Sequence, residues 1–149
     1  MGQLMLEVEE STNAVNPGNN QSSALRTRKR RKAPSSYLKG IDAEAIAAQI
    51  LQRKGFRLLD RRYRTAAGEL DLVVADGQSL AFVEVKRRTS HATAGEAITV
   101  RQQIRMTGAA EIWLQEHPEY ADRDITFDAV LICPRSAPQH IPDAFRPAA

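Results

Sequence analysis

The feature that most restricts what this chain can fold into is a pair of apolar runs with charged residues set into them at alternate positions. Glu69-Leu70-Asp71-Leu72-Val73-Val74-Ala75 is followed by Asp76-Gly77 and then by Leu80-Ala81-Phe82-Val83-Glu84-Val85-Lys86. Two such runs around an Asp-Gly turn signal predict a β-hairpin. Because side chains alternate along a strand, Glu69 and Asp71 share one face of the first strand, and Glu84 and Lys86 one face of the second. If Asp76-Gly77 is a two-residue turn, Glu69 lies opposite Glu84. If the loop has four residues, Asp71 does. Either register gathers the four charged side chains on one face, and a slip by one residue would scatter them together with the apolar pattern.

Three carboxylates and one ammonium on a single face of an otherwise apolar hairpin need a compensating partner, since crowded like charges repel and lose hydration. A hard divalent cation supplies one. Mg²⁺ takes one or two carboxylates and keeps its other positions for water and phosphate oxygens. A lysine two residues beyond a ligating glutamate can orient a water or offset charge on a phosphorane-like transition state. The twelve residues between Asp71 and Glu84, followed by Lys86, therefore suit metal-assisted phosphodiester hydrolysis. Taken by itself, a Glu-x-Lys on a strand is an ordinary surface ion pair. The two acids across the hairpin distinguish this one.

Gly68-Glu69-Leu70-Asp71 followed by Phe82-Val83-Glu84-Val85-Lys86 resembles the YraN-like family of small bacterial proteins, within the PD-(D/E)XK, restriction-endonuclease-like superfamily that includes Holliday-junction resolvases. The resemblance runs from Tyr37 to Phe145. It implies an α/β fold with an αβββαβ core, a mixed sheet flanked by helices. It also implies a Mg²⁺- or Mn²⁺-dependent nuclease with DNA or another nucleic acid as partner, and, by analogy, a homodimer. In these terms Asp71, Glu84 and Glu69 hold the metal and Lys86 positions the water. Glu44 is an accessory acid near the metal. Gln103 matches a glutamine that the family carries near the acidic cluster, although Gln102 stands where the family has a lysine. Two other readings stay open: a nucleic-acid-binding module without turnover, and a scaffold whose basic tail recruits partners.

The remainder of the sequence is read from pattern. Residues 1–36 hold six Lys/Arg and three Glu, and the other residues fifteen of each sign, so the chain's net charge of +3 sits in the tail. Polar Ser11–Ser23 and the basic run Arg26–Lys32 mark residues 1–36 as a disordered basic tail that can hold a phosphate backbone nonspecifically, and residues 37–149 as the single domain. Any nucleic-acid affinity of that domain must come from a local patch, for which Arg57, Arg61 and Arg64 are candidates. An apolar share of 42% suffices for a core, and aromatic residues at 5% predict an aliphatic one. The one cysteine, Cys133, excludes an intrachain disulfide. The sequence has neither a membrane-length apolar run nor a signal-peptide pattern, so no membrane partner and a cytoplasmic location are expected.

A helix over Asp42–Lys54 is predicted by Ala43, Ile46, Ala47, Ile50 and Leu51, with Asp42 as cap and Gly55 past the end. Phe56–Tyr63 is the first strand, ahead of the hairpin. Arg87–Gly95 is a polar loop in which His91 is a solvated histidine or a ligand. Thr99 opens a second helix through a Thr-x-x-Gln capping box, its apolar stripe Val100, Ile104, Thr107, Ala110 and Leu114 running to His117-Pro118. Ile125–Cys133 is the last strand, on which Asp128 accepts hydrogen bonds from nearby backbone or an arginine. Pro134–Ala149, with four prolines, is expected to be irregular, although Gln139-His140-Ile141 and Ala144-Phe145 resemble the family's closing segment, which packs back on the sheet.

Overall fold

The computed structural model describes residues 42–89 and 96–148. The tail and His91 lie outside them. The elements are α1 (Ala43–Arg53), β1 (Arg57–Arg64), β2 (Glu69–Ala75), β3 (Ser79–Arg87), α2 (Val100–Glu116), a short 3-10 turn (Pro118–Tyr120), β4 (Asp124–Ile132) and β5 (Gln139–Phe145). The sheet runs β1-β2-β3-β4-β5. The first three strands form an antiparallel meander, α2 crosses over so that β4 lies parallel to β3, and β5 returns antiparallel. A crossover is required there because parallel neighbours cannot be joined by a tight turn. The mixed sheet carries one helix on each face, as the αβββαβ core requires.

The helices start and stop where local chemistry dictates. The Asp42 carboxylate accepts from the Ala45 N–H at 3.1 Å, and Gly55 takes φ +97° just past the end of α1. A cap of this kind is worth about 1 kcal/mol. Thr99 and Gln102 form the full capping box of α2. Ala43, Ala47, Ala48 and Leu51 pack α1 onto Leu72, Val74, Ala81, Val83, Val130 and Ile132. On the opposite face, Met106, Ala109, Ala110 and Trp113 pack α2 onto Val73, Leu80, Phe82, Phe127 and Leu131.

Several expectations change. The α2 stripe is rotated over its first turns: Val100 and Ile104 are 70% and 68% exposed and Met106 is buried, while Ala110 of the expected stripe is buried and Trp113 with it. The core is aliphatic only under α1. Under α2 the few aromatics gather, with Phe82 edge-on to Trp113 at 5.7 Å and Phe127 stacked on Phe145 at 4.8 Å. The segment expected to be irregular contains β5. Its Pro142 fits because β5 is an edge strand and Pro142 falls in the irregularity between the Ala129–Ile141 and Phe127–Phe145 pairs. The hairpin pairs Ala75 with Leu80 and Leu72 with Val83, which is the longer-loop register that sets Asp71 against Glu84. Asp76 shapes its turn with its carboxylate, accepting from Gln78 and Ser79 N–H, and Gly77 needs no positive φ.

Candidate functional site

The site lies where the meander loses its regularity. The β2–β3 ladder ends at Leu72–Val83. One residue further, the Asp71 carboxylate instead of a main-chain carbonyl accepts the Val85 N–H, at 2.8 Å. On the other side of β2, Arg62 adopts φ +52° between the pairs Arg61–Leu72 and Tyr63–Leu70. A left-handed non-glycine residue turns the strand out of its alternation. Arg61 and Arg62, which a regular strand would send to opposite faces, both reach Glu44 Oε2, at 3.4 Å and 2.6 Å. Leu70 and Leu72 likewise pack on opposite faces of the sheet. Asp71 sits at that switch.

Asp71 and Glu84 consequently line two clefts, one on each face. A cleft of about 210 Å³ on the α2 side is completed by Glu69, Gln102, Arg105 and Met106. One of about 280 Å³ on the α1 side is completed by Glu44, Lys86 and Arg87, among others. The single charged face read from alternation is thus divided. Glu69 belongs to the α2 side, Lys86 and Glu44 to the α1 side, and only Asp71 and Glu84 to both.

The electrostatics are those of an under-compensated pair. Burial pushes the Asp71 carboxyl up to about 7, and the neighbouring Glu84 charge adds to the shift, against the opposing hydrogen bond from Val85. Lys86 Nζ lies 3.0 Å from Glu84 Oε1, with only 13% and 16% of the two side chains exposed. Glu69 Oε1 lies 3.6 Å from Arg64 Nε. Among the described residues no three His, Cys, Asp or Glu side chains group closely enough to hold a metal ion; Asp71 and Glu84 are the two acids that line both clefts.

Gln103 turns away: its Nε2 donates to the Ile98 carbonyl at 3.0 Å, and its side chain lies beside Val100, Ile104 and Phe145. Gln102 and Arg105 face the acids instead. Arg105 carries no signal in the sequence reading, and Gln102 enters it only as the residue standing where the family has a lysine; with Met106 and Trp113 inward, both fall on the flank over β2. That flank is fixed by glycine. A Cβ on Gly68 would collide with the Arg105 carbonyl, and one on Gly108 would stand 2.9 Å from Ala67 Cβ.

The arginine patch also dissolves. A register shift between Leu58 and Asp60 puts Arg57 and Arg61 on different faces. Arg57 donates to the Tyr120 hydroxyl at 3.1 Å, Arg61 is held by Asp42 at 2.7 Å, and Arg64 pairs with Glu69. Asp128, expected to be a structural acceptor, is one. It takes the Asp143 N–H at 3.0 Å and His140 Nε2 at 2.8 Å, and Lys54 Nζ donates to His140 Nδ1 at 2.8 Å. No helix among the described residues is long and apolar enough to cross a membrane.

Residues 43–132 match the uncharacterised protein family UPF0102. The UPF0102 protein RPA0323 of Rhodopseudomonas palustris strain CGA009 is 49% identical over 111 residues, 74% of this chain and 85% of that protein. A UPF0102 protein of strain BisB18 is 51% identical over the same share of this chain and 82% of its own length. One from Parvibaculum lavamentivorans is 48% identical over 113 residues, 76% of this chain and 85% of its own. The chain belongs to the UPF0102 family, the YraN-like group that its Gly-Glu-Leu-Asp and Glu-Val-Lys motifs resemble.

Proposed function

We propose that this UPF0102 protein is a Mg²⁺- or Mn²⁺-dependent nuclease that hydrolyses phosphodiester bonds of DNA in the cytoplasm, on branched or single-stranded forms. The observation that carries the reading is the Asp71–Glu84 pair at the end of the β2–β3 ladder, with Lys86 against it. The donor set suits a hard cation, which commonly uses one or two carboxylates and leaves its other positions to water and phosphate. Asp71 and Glu84 would hold it. Once bound, it supplies Lewis-acid polarisation of a phosphoryl oxygen and a more acidic water.

The protein's own groups do the rest. The Val85 N–H fixes the Asp71 carboxylate so that it cannot rotate away from Glu84. Lys86, shielded and 3.0 Å from Glu84, keeps an ammonium ready for charge that develops on a phosphate, without reorganisation at the moment of reaction. Glu69 is an accessory acid restrained by Arg64, and Glu44 one restrained by Arg62. Gln103 has no place in this scheme; its amide serves the loop before α2. The proposal extends to a homodimer, for which the exposed Val100 and Ile104 on α2 offer an apolar face.

The test is a cleavage screen over duplex, single-stranded, flap and four-way-junction DNA with Mg²⁺ and Mn²⁺, comparing the parent with Asp71→Asn. Cleavage by the parent and not by the variant is expected. A parent that cuts nothing, yet gains thermal stability from Mn²⁺, would be a binding module.

A further inference from the structure

The clefts that meet at Asp71 and Glu84 are lined by Arg105 on the α2 side and Arg87 on the α1 side, and the β1 arginines near them are paired with acids. Arg61 is held by Asp42 and Glu44, Arg62 by Glu44, and Arg64 by Glu69. Arg105 differs. It is exposed, lines the α2-side cleft with Glu69, Asp71 and Glu84, and forms no ion pair among the described residues. Its backbone is set against the start of β2, because its carbonyl occupies the space that a Gly68 side chain would need. The guanidinium therefore projects from a point fixed relative to the start of β2.

We infer that Arg105 is the phosphate anchor of the α2-side cleft: it grips the backbone of a nucleic-acid strand one or two linkages away from the Asp71–Glu84 pair. This rests on the nuclease reading above and adds a residue, and a side of approach, to it. A planar guanidinium engages a phosphate through two parallel hydrogen bonds, which a carboxylate-bound arginine cannot offer. The cleft holds about 210 Å³. That is below the roughly 300–1,000 Å³ of pockets that enclose a drug-sized ligand, so it suits a backbone passing through better than an enclosed nucleotide. Arg105 also takes over the part expected of Arg57, Arg61 and Arg64, which are engaged with Tyr120, Asp42 and Glu69.

The experiment is a salt titration of affinity by fluorescence anisotropy, with the full-length protein in chelator so that nothing is hydrolysed. The probes are a fluorescein-labelled oligothymidylate and a labelled duplex of equal length. Each phosphate neutralised adds about 0.7 to the log–log salt slope for single strands and about 0.9 for duplex. Arg105→Ala should lose about that much on both probes, whatever the base sequence, with an unchanged melting temperature. Arg105→Lys should recover the slope, and Arg57→Ala should keep the parental one. The basic run Arg26–Lys32 is present in every variant, so differences between slopes report on Arg105. A parental slope in Arg105→Ala, or a slope that Arg105→Lys fails to recover, overturns the inference. Such a result with DNA cleavage intact leaves the nuclease reading standing. A lost slope in a protein that cleaves no DNA keeps the anchor and removes the hydrolysis.

Discussion

Two aspartates in this sheet perform the same local task and end in opposite conditions. Asp71 on β2 and Asp128 on β4 each stand where a strand ladder breaks down, and each carboxylate accepts a main-chain N–H from the neighbouring strand, Val85 in one case and Asp143 in the other. What meets the second oxygen separates them. For Asp128 it is His140 Nε2, with Lys54 closing the chain on the far nitrogen. The Asp71 carboxyl has the Glu84 carboxylate for a neighbour, and burial, with that charge, pushes it up to about 7. A buried acid with donors on every side is part of the frame. A half-buried acid facing a second acid has no such set of donors, and this contrast, more than the motif letters, singles out the Asp71 end as the candidate site.

The contrast can be broken from either side. The largest effect expected is on the closed network. Asp128→Ala leaves the His140 Nε2–H and the Asp143 N–H without their acceptor, and each buried donor left unsatisfied costs about 1–3 kcal/mol. A fall in melting temperature of about 10 °C or more should follow, and a change of a degree or two would mean that the network carries no stability. Lys86→Ala tests the open end. As a cation acting on the transition state, its loss should slow single-turnover cleavage about 10²–10³-fold, with Mn²⁺ affinity retained. Cleavage at the parental rate would remove Lys86 from the reaction.

The remaining two predictions sharpen the comparison through Asp71. Saturating Mn²⁺ should stabilise the parent by mass action, by about 2.7 kcal/mol at a hundred times the dissociation constant. Asp71→Asn should lose most of that gain while being more stable than the parent in chelator. The other effect is on pH dependence. The native Asp71 holds its proton more tightly than an unfolded aspartate, whose value is 3.8, so its contribution is present below that pH and is lost as pH rises through about 7. In chelator the parent should therefore lose stability between about pH 4 and pH 7 faster than Asp71→Asn. Parallel curves would show that Asp71 is not perturbed.

Much of this was legible in the chain. The hairpin, the capped helices and the crossover follow from periodicity and end signals that depend on neighbours in sequence. Glu84 and Lys86 were placed together by a two-residue spacing that no tertiary event disturbed. The failures share a cause: each needed knowledge of what lies across the sheet. The α2 stripe through Val100 and Ile104 has the same spacing as the one through Met106 and Trp113, and only the aromatic surface beneath the helix selects between them. β5 was hidden by prolines that an interior strand would reject and an edge strand tolerates. Arg57 and Arg61 were parted by a register shift, and Glu69 and Lys86 were divided by the turn of backbone at Arg62, neither of which has a signature in residue type.

Gly68 gives the cleft its gauge. Because the Arg105 carbonyl stands in the space of its missing methyl group, the separation between α2 and the start of β2 is set by two backbones in contact, with no side chain between them to yield. Rotamer changes cannot narrow or widen such a gap. The smallest substitution, Gly68→Ala, would have to move the whole helix turn, carrying Gln102 and Arg105 away from Asp71 together. Displacements of about 1 Å can cost a reaction a hundredfold even when every reacting group survives. The dimension on which the site depends is thus recorded in the sequence as an absence, one hydrogen where any other residue would have a carbon.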